Sequence, residues 1–105
     1  MKIEIDSDVL LSAIRKYGAP FQMQMLTEEC GELIACASRM DRGRASTDEL
    51  LEECVDVIIM CAQMGVMYGE TILHREIARK MERLKLRVGK EQKASGETET
   101  EKHVE

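Results

Sequence analysis

The chain has 105 residues, a length that suits one small domain. Hydrophobic residues make up 44% of it, but eight are Met, one is Phe and none is Trp, so the predicted core is rich in flexible side chains. The formal net charge of −5 argues against a nucleic-acid partner, because the phosphate backbone requires a basic surface.

Capping residues and glycines predict where the first helices begin and end. Asp6 or Ser7 can cap a first helix, which Gly18 ends. Pro20 suits the first turn of a second helix that ends near Asp41. No segment shows the strict alternation of a half-buried strand, which favours an all-α fold.

Two further helices follow. Ser46 and Glu49 form a capping box, S-x-x-E, for a third helix that reaches Tyr68. A fourth helix is predicted from about Glu70 to Val88. The third helix is apolar on almost every side, which is typical of the centre of a bundle.

The polar, low-complexity segment 90–105 is predicted to be a disordered acidic C-terminal tail. The expected organisation is therefore an all-α, four-helix bundle over residues 1–89, followed by that tail. No apolar signal core opens the chain, and no uncharged run is long enough to span a bilayer. We accordingly expect a cytoplasmic protein with no membrane partner.

The cysteines are expected to be free thiols buried in a reducing compartment. They form no C-x-x-C pair, and His74 and His103 lie outside any zinc-ligand spacing, so a zinc site is rejected. The four positions are Cys30, Cys36, Cys54 and Cys61.

Two pairs of acidic residues interrupt helices that otherwise look buried. Glu29 and Glu32 form one pair, and Glu53 and Asp56 form the other. Residues three apart lie on one face of a helix, so each pair places two like charges side by side. Their burial costs several kcal/mol, roughly, unless a cation joins them. Four carboxylates beside a core indicate a hard divalent cation, Mg²⁺ or Mn²⁺.

The short loop 42–45 predicts that the second and third helices are antiparallel neighbours. Folding the chain at this loop brings Glu32 level with Glu53, and Glu29 level with Asp56. All four carboxylates can therefore converge on one cation, or on two cations that share ligands.

The alternative is a solvated salt-bridge face in which nearby arginines pair with the acids. Acids in the first turn of a helix are also common without any ligand, because they favour the helix dipole. That reason accounts well for Glu49, but not for the acids in mid-helix. The arginines available for pairing are Arg39, Arg42 and Arg44.

The acidic pattern resembles the signature of the MazG-like nucleoside triphosphate pyrophosphohydrolases, an all-α superfamily. The residues that carry the resemblance are E-E-x-x-E at Glu28, Glu29 and Glu32, then E-x-x-D at Glu53 and Asp56. The similarity covers roughly residues 16–87. It implies a MazG-like four-helix bundle that hydrolyses a nucleoside triphosphate, such as a non-standard nucleotide or a dNTP, between its α and β phosphates.

The resemblance also implies the roles of individual residues. Glu29, Glu32, Glu53 and Asp56 would be the Mg²⁺ ligands, with Mn²⁺ as the other candidate, and Glu32 would be the catalytic base that takes the proton of the attacking water. Glu28 would be solvated or would support the ligands. Members of the family are dimers or tetramers, so a homodimer or homotetramer is expected.

Substrate-binding residues follow from the same comparison. Lys80 and Arg83 match a K-x-x-R that follows the acids and would contact phosphates. Gln22 resembles a residue near the nucleotide pocket of the family. Ala78 stands where larger members often have Asn, and Phe21 is the one Phe, so the base preference is open.

Two other functions stay open at this point. One is phosphoribosyl-ATP pyrophosphohydrolase-type activity on the same scaffold. The other is a non-catalytic helical oligomerisation or binding module whose acids only form salt bridges. A diiron carboxylate bundle is a minor alternative, since its Glu-x-x-His elements are absent from the sequence.

Overall fold

The computed structural model describes residues 1–95, and their regular structure is entirely helical. The helices are α1 (Ser7–Tyr17), α2 (Ala19–Asp41), α3 (Thr47–Tyr68) and α4 (Glu70–Ser95). The all-α prediction is thus confirmed. None of the four helices combines the length and the apolar character that crossing a membrane requires.

The capping residues of α1 act as the sequence predicts. The Asp6 carboxylate accepts hydrogen bonds from the backbone N–H groups of Asp8, at 2.9 Å, and Val9, at 3.4 Å. At the other end, the Gly18 N–H donates to the Ile14 carbonyl at 2.8 Å. Gly18 has φ +91°, a value that favours glycine, and this turns the chain directly into α2.

The predicted capping box of α3 is also present. The Glu49 N–H donates to the Ser46 hydroxyl at 3.1 Å, and the Ser46 N–H donates back to Glu49 Oε1 at 2.7 Å. Two amide donors at the start of the helix are thereby satisfied. Gly69, with φ +142°, ends α3 after Tyr68.

Helix α4 extends further than the sequence indicates. The prediction ended it near Val88, because Gly89 costs about 1 kcal/mol relative to Ala in a helix interior. In the structure the helix continues to Ser95, since Lys90 and Glu91 are good helix formers on the far side of that glycine. The rest of the predicted disordered tail, residues 96–105, lies outside the described residues.

Residues 1–70 form one compact unit. Within it, α2 packs mainly against α3, and α1 packs on both. The buried apolar side chains are Leu10, Cys36 and Met60, one from each helix. Two polar side chains, Gln22 and Gln63, are buried with them. The small core reflects the short length of the unit.

The prediction that α3 lies at the centre of a bundle is wrong for one of its sides. Leu51 is 61% exposed and Val55 is 51% exposed, and Ile58 and Ile59 are also exposed. Within residues 1–70, α3 has only α1 and α2 as packing partners, and two neighbours cannot cover the full circumference of a helix. The apolar sequence of this side is therefore not explained by packing within the unit.

The cysteines are free, as predicted, but not all are buried. Cys36 is buried, Cys30 and Cys54 are half-buried, and Cys61 is exposed. Partial burial, followed by the neighbouring Cys30 thiol, raises the pKa of Cys61, which favours the protonated thiol.

The second unit begins at residue 71, and its described part, residues 71–95, is most of α4. Its best-defined polar interaction joins residues one turn apart, where Arg79 Nη2 lies 2.6 Å from Glu76 Oε1. This hydrogen bond, helped by nearby positive charge, holds the pKa of Glu76 below its usual range. Both side chains are well exposed, so the pair adds little to stability.

Candidate metal centre

Helices α2 and α3 bring together three of the four predicted metal ligands. Glu29, Glu53 and Asp56 each offer one carboxylate oxygen, and the three oxygens lie within 4.8 Å of one another. Glu29 comes from the middle of α2, whereas Glu53 and Asp56 are one turn apart on α3. This grouping requires the two helices to run back alongside each other in the register that the sequence predicts.

Two oxygens of this cluster are buried without a hydrogen-bond partner. Glu29 Oε1 and Glu53 Oε1 each expose less than 1 Å² and accept no hydrogen bond. Both residues are half-buried as a whole, and Asp56 is the exposed member of the group. A buried carboxylate oxygen that has lost its water and gained no donor is costly, by roughly 1–3 kcal/mol or more for a charged group.

The electrostatics of Glu29 reflect the same situation. Desolvation raises the pKa of Glu29 most, and the charges of Glu32, Asp56 and Glu53 raise it further, in that order. Asp56 is close enough to share a proton with Glu29, but such a hydrogen bond exists only while one of the two carboxyls is protonated. With both ionised, the contact is repulsive and the buried oxygen stays unpaired.

Glu32 is the predicted ligand that stands apart. Its side chain is exposed, and its carboxylate is not part of the group of three mutually close oxygens. Its charge is nevertheless the strongest charge acting on the pKa of Glu29, as expected for a residue one turn further along α2. The structure therefore places Glu32 beside the cluster, and its role as catalytic base stays a prediction.

The arginines that could have made a salt-bridge face do not pair with the cluster. Arg42 Nη1 donates to the Ser38 hydroxyl at 2.7 Å, and the charge of Arg39 contributes to lowering the pKa of Glu49. Among residues 1–95, no carboxylate of the cluster takes part in an ion pair shorter than 4.0 Å. This arrangement does not support the salt-bridge alternative.

The chemistry of the three carboxylates fits a hard divalent cation. Mg²⁺ and Mn²⁺ prefer oxygen ligands, and a cation would supply the positive charge that no side chain provides here. Clusters of exposed acids are common without metals. The two buried and unpaired oxygens distinguish this cluster from such a surface.

An open groove adjoins the cluster on the exposed side of α3. Its volume is about 680 Å³, and Asp56 belongs to both the groove and the cluster. The remaining lining alternates acidic and apolar side chains from the first three turns of the helix. These are Asp48, Leu51, Glu52 and Val55.

The predicted substrate-binding residues have different environments. Gln22 is only 5% exposed, although a glutamine near the start of a helix is usually solvated. Lys80 and Arg83 are exposed on α4, where the charge of Lys80 helps to lower the pKa of Glu76. Their roles as phosphate ligands stay predictions.

One polar residue was missed by the sequence analysis. Gln63 is 3% exposed, its Nε2 donates to the Leu10 carbonyl at 3.4 Å, and its Oε1 is buried without a partner. The available signal was its position within the uncharged run 57–69, seven residues after Asp56. Seven residues are two helical turns, so both lie on one side of α3.

Comparison of the chain with protein-family models, with curated proteins and with solved structures finds no match.

Proposed function

We propose that the protein is a Mg²⁺-dependent nucleotide pyrophosphohydrolase. Its substrate would be a nucleoside triphosphate, cleaved between the α and β phosphates to a monophosphate and pyrophosphate. The observation that carries the proposal is the cluster of Glu29, Glu53 and Asp56, in which two buried carboxylate oxygens have no partner. A site of this kind is stabilised by a cation and is costly without one.

The nucleotide part of the proposal rests on the sequence pattern. The acids occur as E-E-x-x-E and E-x-x-D at the spacing that resembles the MazG-like enzymes. An acidic protein can still take a polyphosphate, provided that a metal ion stands between the two sets of negative charges. The net charge of −5 is therefore compatible with this substrate.

Each carboxylate has a stated part in the proposed reaction. Glu29, Glu53 and Asp56 would hold Mg²⁺, which when bound neutralises phosphate charge and favours ionisation of a water molecule. Glu32 is exposed beside them and is the candidate to accept the proton of the attacking water. A phosphate-contacting role for Lys80 and Arg83 rests on the sequence resemblance alone.

A second candidate function is favoured by the exposed apolar side of α3. Leu51 and Val55 are more than half exposed, which is typical of a surface that another chain covers. A non-catalytic helical oligomerisation module would use this side and would need no metal. A homodimeric or homotetrameric enzyme would use it as well, so light scattering tests oligomer formation without separating the two functions.

A turnover assay separates the enzyme from the non-catalytic oligomerisation module. The purified chain is incubated with NTPs, dNTPs, non-standard nucleotides and phosphoribosyl-ATP, with Mg²⁺ or with EDTA, and pyrophosphate and orthophosphate are measured separately. The proposal predicts Mg²⁺-dependent release of pyrophosphate. Preference for phosphoribosyl-ATP would reassign the substrate while leaving the metal site in place.

The matched variants are Glu53→Gln and Glu52→Gln, which change adjacent acids of α3. Glu53 belongs to the cluster, whereas Glu52 is exposed. We expect Glu53→Gln to abolish pyrophosphate release and Glu52→Gln to retain it. No release from the unmodified chain, together with no Mg²⁺ binding, would reject the enzyme and leave the oligomerisation module.

A further inference from the structure

On both α2 and α3, a buried glutamine stands seven residues from an acid of the carboxylate cluster. Gln22 stands seven residues before Glu29, and Gln63 stands seven residues after Asp56. Since Glu29 and Asp56 lie level on helices that run in opposite senses, the same step along each helix reaches the same height. Seven residues correspond to ~10.5 Å along each helix.

Gln63 is the buried polar group that the packing leaves incomplete. Gln63 is only 3% exposed, and its Nε2 donates a hydrogen bond to the Leu10 carbonyl at 3.4 Å. That bond fixes which end of the amide is the donor, so the free end is the acceptor Oε1. A buried acceptor with no donor is the state that a ligand N–H or O–H would satisfy.

We infer that Gln63 is a specificity-determining residue, and that its side-chain oxygen accepts a hydrogen bond from an N–H on the base of the bound nucleotide. This inference rests on the proposed function, because it places the phosphates at the carboxylate cluster. The base of an extended nucleotide lies on the side of the sugar away from the phosphates. Gln63 lies two helical turns from the metal ligands, a distance that suits the separation between the phosphates and the base.

Methionines occupy sequence positions between the cluster and the glutamines, or close to them. Met25 on α2 and Met60 on α3 occupy the heights between the two sets of polar residues, and Met64 follows one turn after Met60. Met side chains are unbranched and have three rotatable bonds, so they adapt to irregular ligands at low cost. Their movement would admit a base to Gln63, which is closed to solvent in the present arrangement.

A structural role for Gln63 predicts a different outcome for base preference. In that case the amide would hold α1 against α3 through the Leu10 carbonyl, with a buried water on Oε1. Gln63→Met, which keeps the side-chain length and removes both polar atoms, would then lower the melting temperature and leave base preference unchanged. Under our inference the same change alters base preference, whatever its effect on the melting temperature, because it removes both the unpaired Oε1 and the hydrogen bond from Nε2 to the Leu10 carbonyl.

The experiment compares Gln63→Met with Gln24→Met, a change of an exposed glutamine on α2. KM and kcat are measured for each nucleotide that the unmodified protein hydrolyses, and Mg²⁺-tripolyphosphate serves as a competitive inhibitor that has no base. We expect Gln63→Met to raise KM for the preferred nucleotide about 2- to 10-fold and to narrow the differences between bases. The inhibition constant of tripolyphosphate and the kinetics of Gln24→Met should stay the same.

Each other result has a definite meaning. Unchanged base preference in Gln63→Met, or equal weakening of nucleotide and tripolyphosphate, would overturn the role of Gln63 while the proposed function stands. A lower melting temperature with unchanged preference would assign Gln63 to structure. If the unmodified protein neither hydrolyses the nucleotides nor binds Mg²⁺-tripolyphosphate, the proposed function and this inference fail together.

Discussion

Glu49 and Glu29 are the same residue type on neighbouring helices, and their surroundings shift their pKa values in opposite directions. Hydrogen bonds from Ser46, through its backbone first and its hydroxyl second, lower the pKa of Glu49. Burial and three neighbouring carboxylates raise the pKa of Glu29. Glu49 completes a helix cap, and its Oε1 accepts a hydrogen bond from the Ser46 N–H. Glu29 is left with a charge that nothing in residues 1–95 neutralises.

The difference separates an acid that caps a helix from an acid whose surroundings suit the proposed metal ligand. Both residues belong to acidic stretches that look similar in the sequence. Ser46 donates to the carboxylate of Glu49, whereas three like charges act on that of Glu29. An arrangement that is unfavourable in the free protein becomes favourable when a cation binds, and that is the property a metal site requires.

The largest expected effect is on catalysis. Asp56→Asn should reduce pyrophosphate release by more than about 100-fold, because changes that only support a metal ligand already cost 10- to 100-fold. Glu49→Gln should stay within about twofold of the unmodified protein, since Gln serves in a capping box as Glu does. Comparable losses in the two variants would show that the acids do not differ in function.

The next effect is on stability in the presence of metal. Mg²⁺ at 100 times its dissociation constant should stabilise the protein by about 2.7 kcal/mol, as any ligand that binds only the folded state does. Thermal melting with and without Mg²⁺ measures this. The shift should vanish in Glu53→Gln and remain in Glu49→Gln. A shift that survives Glu53→Gln would place the metal elsewhere.

Loss of the helix cap should have a smaller effect that does not depend on metal. Ser46→Ala removes the hydroxyl that accepts the Glu49 N–H, and it should destabilise the protein by about 1 kcal/mol. Urea unfolding measures the change. The difference from the unmodified protein should be equal with and without Mg²⁺, and unequal values would mean that the cap and the cluster are coupled.

The smallest effect is the pH dependence of the metal-free protein. The folded-state pKa of Glu29 is raised, so the folded state binds the proton more tightly than the unfolded state does. Metal-free stability should therefore fall as the pH rises from the ordinary carboxyl pKa, about 4.3, through the raised value. Unfolding measured across this range in EDTA tests the direction.

Two variants isolate the contribution of Glu29 to that pH dependence. Glu29→Gln should remove this part of the slope. At pH values above the raised pKa of Glu29, it should also make the metal-free protein more stable, because the repulsion from the neighbouring carboxylates is gone. Glu28→Gln changes the exposed neighbouring acid and should leave the slope in place. A slope that persists unchanged in Glu29→Gln would assign the titration to another group.

Most of the fold was predictable because its signals are local. The Asp6 cap, the turn at Gly18 and the capping box at Ser46 depend on residues a few positions apart. The end of α4 was not predicted, since the cost of Gly89 is small compared with the helix-forming residues that follow it. The preference of a single residue sets the end of a helix only where the helix-forming residues after it are too few to outweigh it.

The site was predictable in part, because the short loop predicts antiparallel neighbouring helices, whereas side-chain burial depends on packing. The short loop after α2 predicted that all four acids converge, and three of them do: Glu29 meets Glu53 and Asp56, while Glu32 stays outside the group. Which carboxylate oxygens lose their water depends on packing around them, and so does the burial of Gln22 and Gln63. Tertiary contacts of this kind have no local pattern in the sequence.

The mirrored order of residues along α2 and α3 has a consequence for how related sequences can vary in length. Insertions in the loop 42–46 leave the register of the two helices intact, because packing of their buried faces maintains it, and longer surface loops cost little entropy. One residue inserted between Gln22 and Glu29 would instead turn one of them by about 100° away from the shared face. Related sequences should therefore differ in loop length while keeping the seven-residue spacing between the glutamine and the acid on both helices.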